Sequence, residues 1–163
     1  MKTLLIVFDS VTGGTRQMAQ AAARGAATEG GLSLRLLHAA DAGPDDVLAA
    51  DGYIFATPEM LAALPGRMKY FFDRTYYAAL DRIQGRPYAV LICAGSDGQN
   101  ALRQVERIAA GWRLRPVAEP IIVCTHAQTP EAIAAPKTIA PDDLRRCEDL
   151  GAAIAAGLTM GIF

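Results

Sequence analysis

The chain has 163 residues, of which 52% are apolar and 20% charged, so it is long and apolar enough to bury a core and does not have the composition of a disordered protein. Sixteen basic and seventeen acidic side chains leave a formal net charge of −1. This balance argues against a basic nucleic-acid-binding surface and against electrostatic recruitment to a membrane. No uninterrupted apolar run approaches membrane length. We therefore expect a single cytoplasmic domain over residues 1–163, with no nucleic-acid partner and no membrane insertion.

Short aliphatic runs alternate with longer alanine-rich stretches, which is typical of a parallel sheet covered by helices on both faces. The second run alternates apolar and polar residues and therefore predicts an edge strand, so we expect a doubly wound five-stranded α/β sheet of order 2-1-3-4-5. The predicted strands are Leu4–Phe8, Leu32–Leu36, Gly52–Ala56, Tyr88–Ala94 and Ile121–Cys124. The predicted helices are Gln17–Thr28, a brief turn at Val47–Ala50, Pro65 to about Leu80, Asn100–Ala110 and Leu144–Ala156.

Cysteine and histidine are too few and too widely spaced for a metal site. Cys93, Cys124 and Cys147 lie far apart and form no CxxC pair, and His38 and His126 are the only histidines. An odd number of dispersed cysteines suits a reducing compartment, where they pack as small apolar side chains. We predict no metal ligand and no disulfide framework, and we interpret both histidines as surface or strand-end residues.

The loop between the first strand and the first helix carries three hydroxyls around two glycines. It reads Ser10-Val11-Thr12-Gly13-Gly14-Thr15. Hydroxyls, backbone N–H groups and the positive end of the helix dipole together favour a bound phosphate, without help from a lysine. The P-loop pattern and the three-glycine dinucleotide pattern are both absent, which indicates a terminal phosphate rather than a pyrophosphate. The alternative is that Ser10 or Thr15 only caps the helix and the glycines form a tight turn.

This loop matches the Ser/Thr-x-Thr-Gly-x-Thr phosphate loop of the flavodoxin-like family. The sequence resembles that family, and more closely its NAD(P)H-dependent FMN reductase and quinone reductase branch, with further matches at Thr57–Met60, Pro65–Arg74 and Ala94–Gln99. The resemblance implies a flavodoxin-like fold and FMN as the cofactor, with the flavin rather than a catalytic side chain supplying the chemistry. The implied cofactor-binding residues are Ser10, Val11, Thr12, Gly13, Gly14, Thr15, Thr57, Pro58, Glu59, Met60, Leu61, Ala62, Ala94, Gly95, Ser96, Asp97 and Gly98.

Loops without aromatic residues distinguish this sequence from electron-carrying flavodoxins, which usually place aromatic side chains against the flavin. Residues 59–64 and 94–99 contain no aromatic residue. An open flavin face favours stacking of a nicotinamide or a quinone. The resemblance therefore implies an oxidoreductase that takes hydride from NADH or NADPH and reduces a quinone or another small acceptor in ping-pong order. The alternative is a flavodoxin-type electron-transfer or FMN-binding module with no NAD(P)H turnover of its own.

Two other α/β functions fit the sequence less well. Residues 94–98 are similar to the nucleophile elbow of α/β-hydrolases, but alanine replaces the first glycine, and Asp142 and Asp143 follow His126 in the reverse of the usual order. A response-regulator receiver would need an aspartate where Thr57 stands. We therefore favour neither.

The predicted third helix is crowded with aromatic residues. Five of them cannot all face the sheet, so we expect the surplus to form the interface of a homodimer. They are Tyr70, Phe71, Phe72, Tyr76 and Tyr77.

Four arginines follow the fourth strand. We interpret them as a solvated face of the molecule, with binding of the 2′-phosphate of NADPH as the alternative. They are Arg103, Arg107, Arg113 and Arg115.

Overall fold

In the computed structural model, which describes residues 1–163, a parallel six-stranded sheet lies between two layers of helices. The strands are β1 (Lys2–Phe8), β2 (Leu32–His38), β3 (Gly52–Pro58), β4 (Pro87–Ala94), β5 (Arg115–Pro116) and β6 (Ile121–Cys124). The helices are α1 (Gly14–Ala26), α2 (Pro44–Ala49), α3 (Gly66–Ala79), α4 (Gln99–Gly111), α5 (Pro130–Ala134) and α6 (Pro141–Thr159).

The strand order β2-β1-β3-β4 continues with two short strands that both pair with β4. β5 pairs with the first two residues of β4, whereas β6 pairs with Leu91–Ala94 at the other end. Pro120, which has no N–H to donate to the sheet, lies in the gap between these two short strands. The predicted doubly wound order 2-1-3-4-5 is confirmed: β6 is the predicted fifth strand, and β5 is an addition that the sequence analysis missed.

Each face of the sheet has its own apolar core. On one face, aromatic rings fill the space beneath α2, α3 and α4, and the ring centroid of Phe55 lies 5.1 Å from that of Phe72. On the other face, α1 and α6 pack through small residues. A Cβ on Gly151 would lie 1.9 Å from the carbonyl oxygen of Ala22. This close packing fixes α1, and with it the loop that precedes α1, on the sheet.

The predicted elements differ from the observed ones mainly near the carboxyl ends of the strands. α1 begins at Gly14 rather than Gln17, so Gly14 and Thr15 belong to its first turn. α5 was not predicted, because a five-residue helix with no buried side chain has no apolar periodicity. α6 starts at Pro141, where a proline suits the first helical turn. None of the helices has the length and apolarity that crossing a membrane would require.

Candidate functional site

A cleft of about 400 Å³ opens at the carboxyl ends of β1, β3 and β4. All three predicted loops contribute to it, together with a fourth segment that the sequence analysis missed. The first three segments supply Ser10, Val11, Thr12, Thr15, Pro58, Glu59, Met60, Cys93, Ala94 and Gly95. The fourth supplies Thr125, Ala127, Ile133, Ala134 and Lys137. No aromatic side chain lines the cleft, and Glu59 and Lys137 are its only charged residues.

The first loop presents unpaired backbone donors at the start of α1. The N–H groups of Val11, Thr12, Gly14 and Thr15 donate to no protein acceptor. The Ser10 hydroxyl oxygen accepts hydrogen bonds from the N–H groups of residues 13 and 16, at 3.2 and 3.3 Å, so this serine caps the helix. Unpaired amides at a helix N-terminus attract an anion, which makes this loop a fitting cradle for a phosphate.

The bend of the first loop depends on two glycines. Gly13 has a φ of 92°, a left-handed conformation that glycine adopts readily. A Cβ on Gly14 would lie only 2.6 Å from the sulfur of Cys93, which forms the floor of the cleft. Burial raises the pKa of the Cys93 thiol to about 11, so the floor of the cleft carries no thiolate at neutral pH.

Glu59 joins the second loop of the site, residues 57–62, to the third loop, residues 94–98. Its two carboxylate oxygens accept hydrogen bonds from the N–H groups of Gly98 and Ala101, at 3.0 and 3.1 Å, at the N-terminus of α4. Its own N–H donates to the carbonyl of Cys93 at 2.9 Å. The helix dipole favours a carboxylate in this position. The Glu59 carboxylate therefore binds the N-terminus of α4, and the Gly98 N–H already donates a hydrogen bond within the protein.

A tight turn forms the rim of the cleft at residues 60–63. Met60 and Ala63 exchange backbone hydrogen bonds of 2.9 and 3.1 Å, and the central residues Leu61 and Ala62 have φ values of 48° and 60°. Positive φ at both central positions is the geometry of a type I′ turn, which usually contains glycine or asparagine. Side chains of α4 hold the turn: Asn100 donates to the carbonyl of Ala62, and the Gln104 side-chain oxygen accepts from Leu64 N–H at 2.8 Å.

The fourth segment of the lining, residues 125–137, forms what we call the fourth wall of the cleft. Lys137 and Gln17 hold this wall in place. The Lys137 N–H donates to the Thr12 carbonyl at 2.8 Å, and its ammonium group donates to three carbonyls at the end of α5. The Gln17 side chain donates to the carbonyls of Gly13 and Lys137 and accepts from Ile139 N–H. Sequence reasoning missed this wall because it has no apolar pattern. The Thr129-Pro130 helix start and the isolated lysine were its only signals.

A cluster of polar side chains centred on the buried Asp9 lies beneath the first loop. Asp9 is fully buried, and its Oδ1 atom accepts from Ser10 N–H, His38 Nε2 and Arg67. His38 Nδ1 accepts from Ala40 N–H at 3.1 Å, so its neutral tautomer carries the proton on Nε2. The Asp9 Oδ2 atom has no partner. His38 is thus a strand-end residue, as predicted, and His126 is exposed after β6.

The remaining predicted site residues lie around the cleft rather than in its lining. Thr57 is buried and its hydroxyl donates to the Pro58 carbonyl at 3.1 Å. Residues 96 and 97 are exposed beside it. The others outside the lining are Gly13, Gly14, Leu61, Ala62 and Gly98. The arrangement as a whole can bind an anion at the first loop and a flat group against the apolar residues of the second and third loops.

Comparison with known proteins identifies relatives of two kinds. A family model described as NADPH-dependent FMN reductase matches residues 44–129. The chain is 33% identical over 98 residues to a flavodoxin from Aquifex aeolicus, a match that covers 60% of this chain and 53% of that protein. It is 33% identical over 95 residues to an NAD(P)H dehydrogenase (quinone) from Acidithiobacillus ferrooxidans, with coverages of 46% and 48%. The chain therefore spans about half the length of the curated relatives it matches.

Solved structures extend the similarity to the whole fold. A flavodoxin from the domain Archaea superposes with a TM-score of 0.78 at 19% identity, covering 96% of this chain and 99% of that chain. A WrbA-like flavodoxin from Agrobacterium tumefaciens superposes with a TM-score of 0.73 at 20% identity, covering 98% and 99%. At this level of identity the comparison concerns the fold, and it confirms the predicted flavodoxin-like architecture.

Proposed function

Because the chain belongs to the NADPH-dependent FMN reductase family, we propose that it binds FMN in the cleft and acts as an NAD(P)H-dependent oxidoreductase that reduces quinones or other small acceptors. The observation that carries this proposal is the set of four unpaired amides at the start of α1, next to a cleft without aromatic residues. The amides suit a phosphate, and a cleft without aromatic side chains would leave one face of a bound ring uncovered.

The residues of the cleft fit FMN. The amides of residues 11, 12, 14 and 15, with the hydroxyls of Thr12 and Thr15, would hold the terminal phosphate. Pro58, Met60 and Ala94 offer apolar contacts to a flat ring. The cleft also lies within the range of about 300–1,000 Å³ that is usual for ligand pockets.

Bound FMN would supply the hydride chemistry, and the chain would supply binding and orientation. None of the titratable side chains in the lining is suited to act as a general acid or base. The Glu59 carboxylate is bonded to α4, the Lys137 ammonium to α5, and burial raises the pKa of the Cys93 thiol to about 11. Donor and acceptor would use the one cleft in turn, which gives ping-pong kinetics.

The alternative is an electron-transfer module that binds FMN but does not oxidise NAD(P)H by itself. The similarity to a flavodoxin from Aquifex aeolicus favours this reading. The absence of aromatic residues from the cleft favours the reductase, because an uncovered ring is accessible to a nicotinamide. The two functions differ in whether the purified protein turns over NAD(P)H without a partner.

Titration with FMN tests the cofactor, and anaerobic mixing of the FMN-loaded protein with NADPH, and separately with NADH, tests the activity. We expect the visible flavin absorbance to bleach with at least one nucleotide and to return when benzoquinone is added. FMN binding without bleaching by either nucleotide would identify the electron-transfer module instead. A protein that binds no FMN would contradict both functions.

We further propose that the chain forms a homodimer through α3. Phe71 and Phe72 are buried against the sheet, whereas Tyr70 and Tyr77 are 65% and 83% exposed. Tyr76 and the following Leu80 are exposed as well. Exposed aromatic residues of this density are typical of the core of a protein interface.

A further inference from the structure

A second groove, of about 490 Å³, runs between α3 and α4 on the far side of the 60–63 turn. It has an apolar floor and a basic rim, and it does not belong to the cleft described above. Its lining residues are Ala63, Leu64, Lys69, Asn100, Arg103, Gln104, Arg107 and Ile108. We call it the basic groove.

The rim of the basic groove carries more positive than negative charge. Arg103 and Arg107 lie four residues apart on α4, so they project from the same face of the helix. Neither takes part in any of the ion pairs of the structure, and Arg103 instead donates to the side-chain oxygen of Asn100. Lys69 on α3 pairs with Asp73 at 2.5 Å. Glu106 lines a neighbouring depression together with Arg103, but it does not line this groove.

The floor of the basic groove suits an aromatic base. Ala63, Leu64 and Ile108 form its apolar surface. The oxygen of the Gln104 side chain accepts from Leu64 N–H, which leaves the amide NH₂ of Gln104 to donate to a ligand. An apolar floor with one amide donor and a pair of guanidinium groups matches a nucleoside that carries a phosphate.

The basic groove and the cleft share the 60–63 turn as a common boundary. Met60 lines the cleft, whereas Ala63 and Leu64 line the groove. We propose that the groove binds the 2′-phosphoadenosine end of NADPH, with Arg103 and Arg107 recognising the phosphate monoester. This inference rests on the proposed reductase function, in which the nicotinamide end of the same molecule enters the cleft.

The structure also distinguishes among the four arginines that the sequence analysis treated as one group, which are Arg103, Arg107, Arg113 and Arg115. Arg113 pairs with Asp81 at 3.1 Å and does not line the groove. Arg115 lies in β5, which pairs with the beginning of β4, at the opposite end of that strand from the cleft. Only Arg103 and Arg107 remain as candidates for phosphate recognition, and Arg115 provides a matched control.

Direct binding tests the groove without any need for turnover. Adenosine 2′,5′-bisphosphate and 5′-AMP are titrated calorimetrically into the FMN-loaded protein and its variants. Loss of a charge-assisted hydrogen bond to phosphate corresponds to about 10- to 150-fold in affinity. We expect the bisphosphate to bind more tightly than 5′-AMP by about that factor, Arg107→Gln to remove most of the preference, and Arg103→Gln with Arg107→Gln to remove all of it. Arg115→Gln should retain the preference.

Kinetics supply the second measurement. In the double variant the ratio of the KM for NADPH to the KM for NADH should rise about 10- to 150-fold, whereas Arg115→Gln should leave this ratio unchanged. Equal affinity of the unmodified protein for the two adenosine nucleotides, or an equal loss in Arg115→Gln, would overturn the assignment. A protein that oxidises neither NADPH nor NADH would refute the reductase function, and the bisphosphate titration would still decide whether the groove recognises a 2′-phosphate.

Discussion

Arg67 holds the fully buried carboxylate of Asp9 from a half-exposed position, with its Nε and Nη2 atoms 3.0 and 2.8 Å from the same oxygen, Oδ1. The other carboxylate oxygen has no partner. The guanidinium therefore supplies the main compensating charge beneath the first loop, with His38 as a second donor. A buried charge that loses its partner costs far more than an exposed one, because it has already been removed from water.

Replacing this counterion should destabilise the fold. We expect Arg67→Met to lower the free energy of unfolding by about 1–3 kcal/mol, since the Asp9 carboxylate would stay buried with fewer donors. Arg146→Met is the control, because its partner Asp143 is 30% exposed to solvent rather than fully buried, and this pair should contribute less than about 1 kcal/mol. Urea denaturation of both variants gives the comparison. Equal losses of unfolding free energy in the two variants would show that the burial of Asp9 does not strengthen its ion pair with Arg67.

Removing one hydroxyl from the first loop should weaken FMN binding. Thr12→Val deletes a donor to a charged phosphate, a loss of about 1.5–3 kcal/mol, which corresponds to about 10- to 150-fold in Kd. Thr159→Val is the matched control at the C-terminal end of α6, where the hydroxyl donates to Ala156. Calorimetric titration with FMN measures both. An unchanged Kd for Thr12→Val would mean that the phosphate does not use this residue.

Alkaline pH should destabilise the protein through its buried thiols. Burial raises the pKa of Cys93 and of Cys147 from 9.0 to about 11. The unfolded chain therefore releases these protons first, so the stabilisation is complete below pH 9 and is lost as the pH rises through 11. Denaturation at a series of pH values should show the free energy of unfolding falling across this window, less steeply in Cys147→Ala. A flat profile would contradict the assignment.

The proposed interface through α3 predicts that the protein has the mass of a dimer in solution. Light scattering at micromolar concentration should give the dimer, and Tyr77→Asp should shift it towards the monomer, because a charge would replace the most exposed aromatic ring of the proposed interface. Arg145→Asp, which introduces the same acidic residue at an exposed position on α6, serves as the control. A monomer mass for the unmodified chain, with and without FMN, would rule out this dimer.

The sheet and the first loop could be predicted because the residue patterns that indicate them lie within short stretches of the sequence. The continuous apolar run of β1 and the alternating pattern of β2 reveal which strand is central and which lies at the edge. The hydroxyls and glycines of residues 10–15 likewise form a motif that can be recognised without tertiary contacts. The matches to known structures confirm the fold that follows from these patterns.

The rest of the cleft depends on contacts between distant residues, which no local pattern reports. The direction of the Glu59 carboxylate is decided by the amides of Gly98 and Ala101, about forty positions away along the chain. The left-handed backbone at Leu61 and Ala62 also runs against their residue types. Side chains of α4 bond to Ala62 within that turn and to Leu64 just after it, so the turn geometry depends on tertiary structure rather than on propensity.

The three hydrogen bonds of Gln17 have a mechanical consequence. Its side chain grips the first loop at Gly13 and the fourth wall at Lys137 and Ile139, which are more than a hundred residues further along the chain. These two boundaries of the cleft are thereby joined through one rigid amide and must shift as a single body. The opposite rim, the 60–63 turn, is held separately by Asn100 and Gln104 of α4, so a wider cleft requires the first loop and the fourth wall to move together away from that turn.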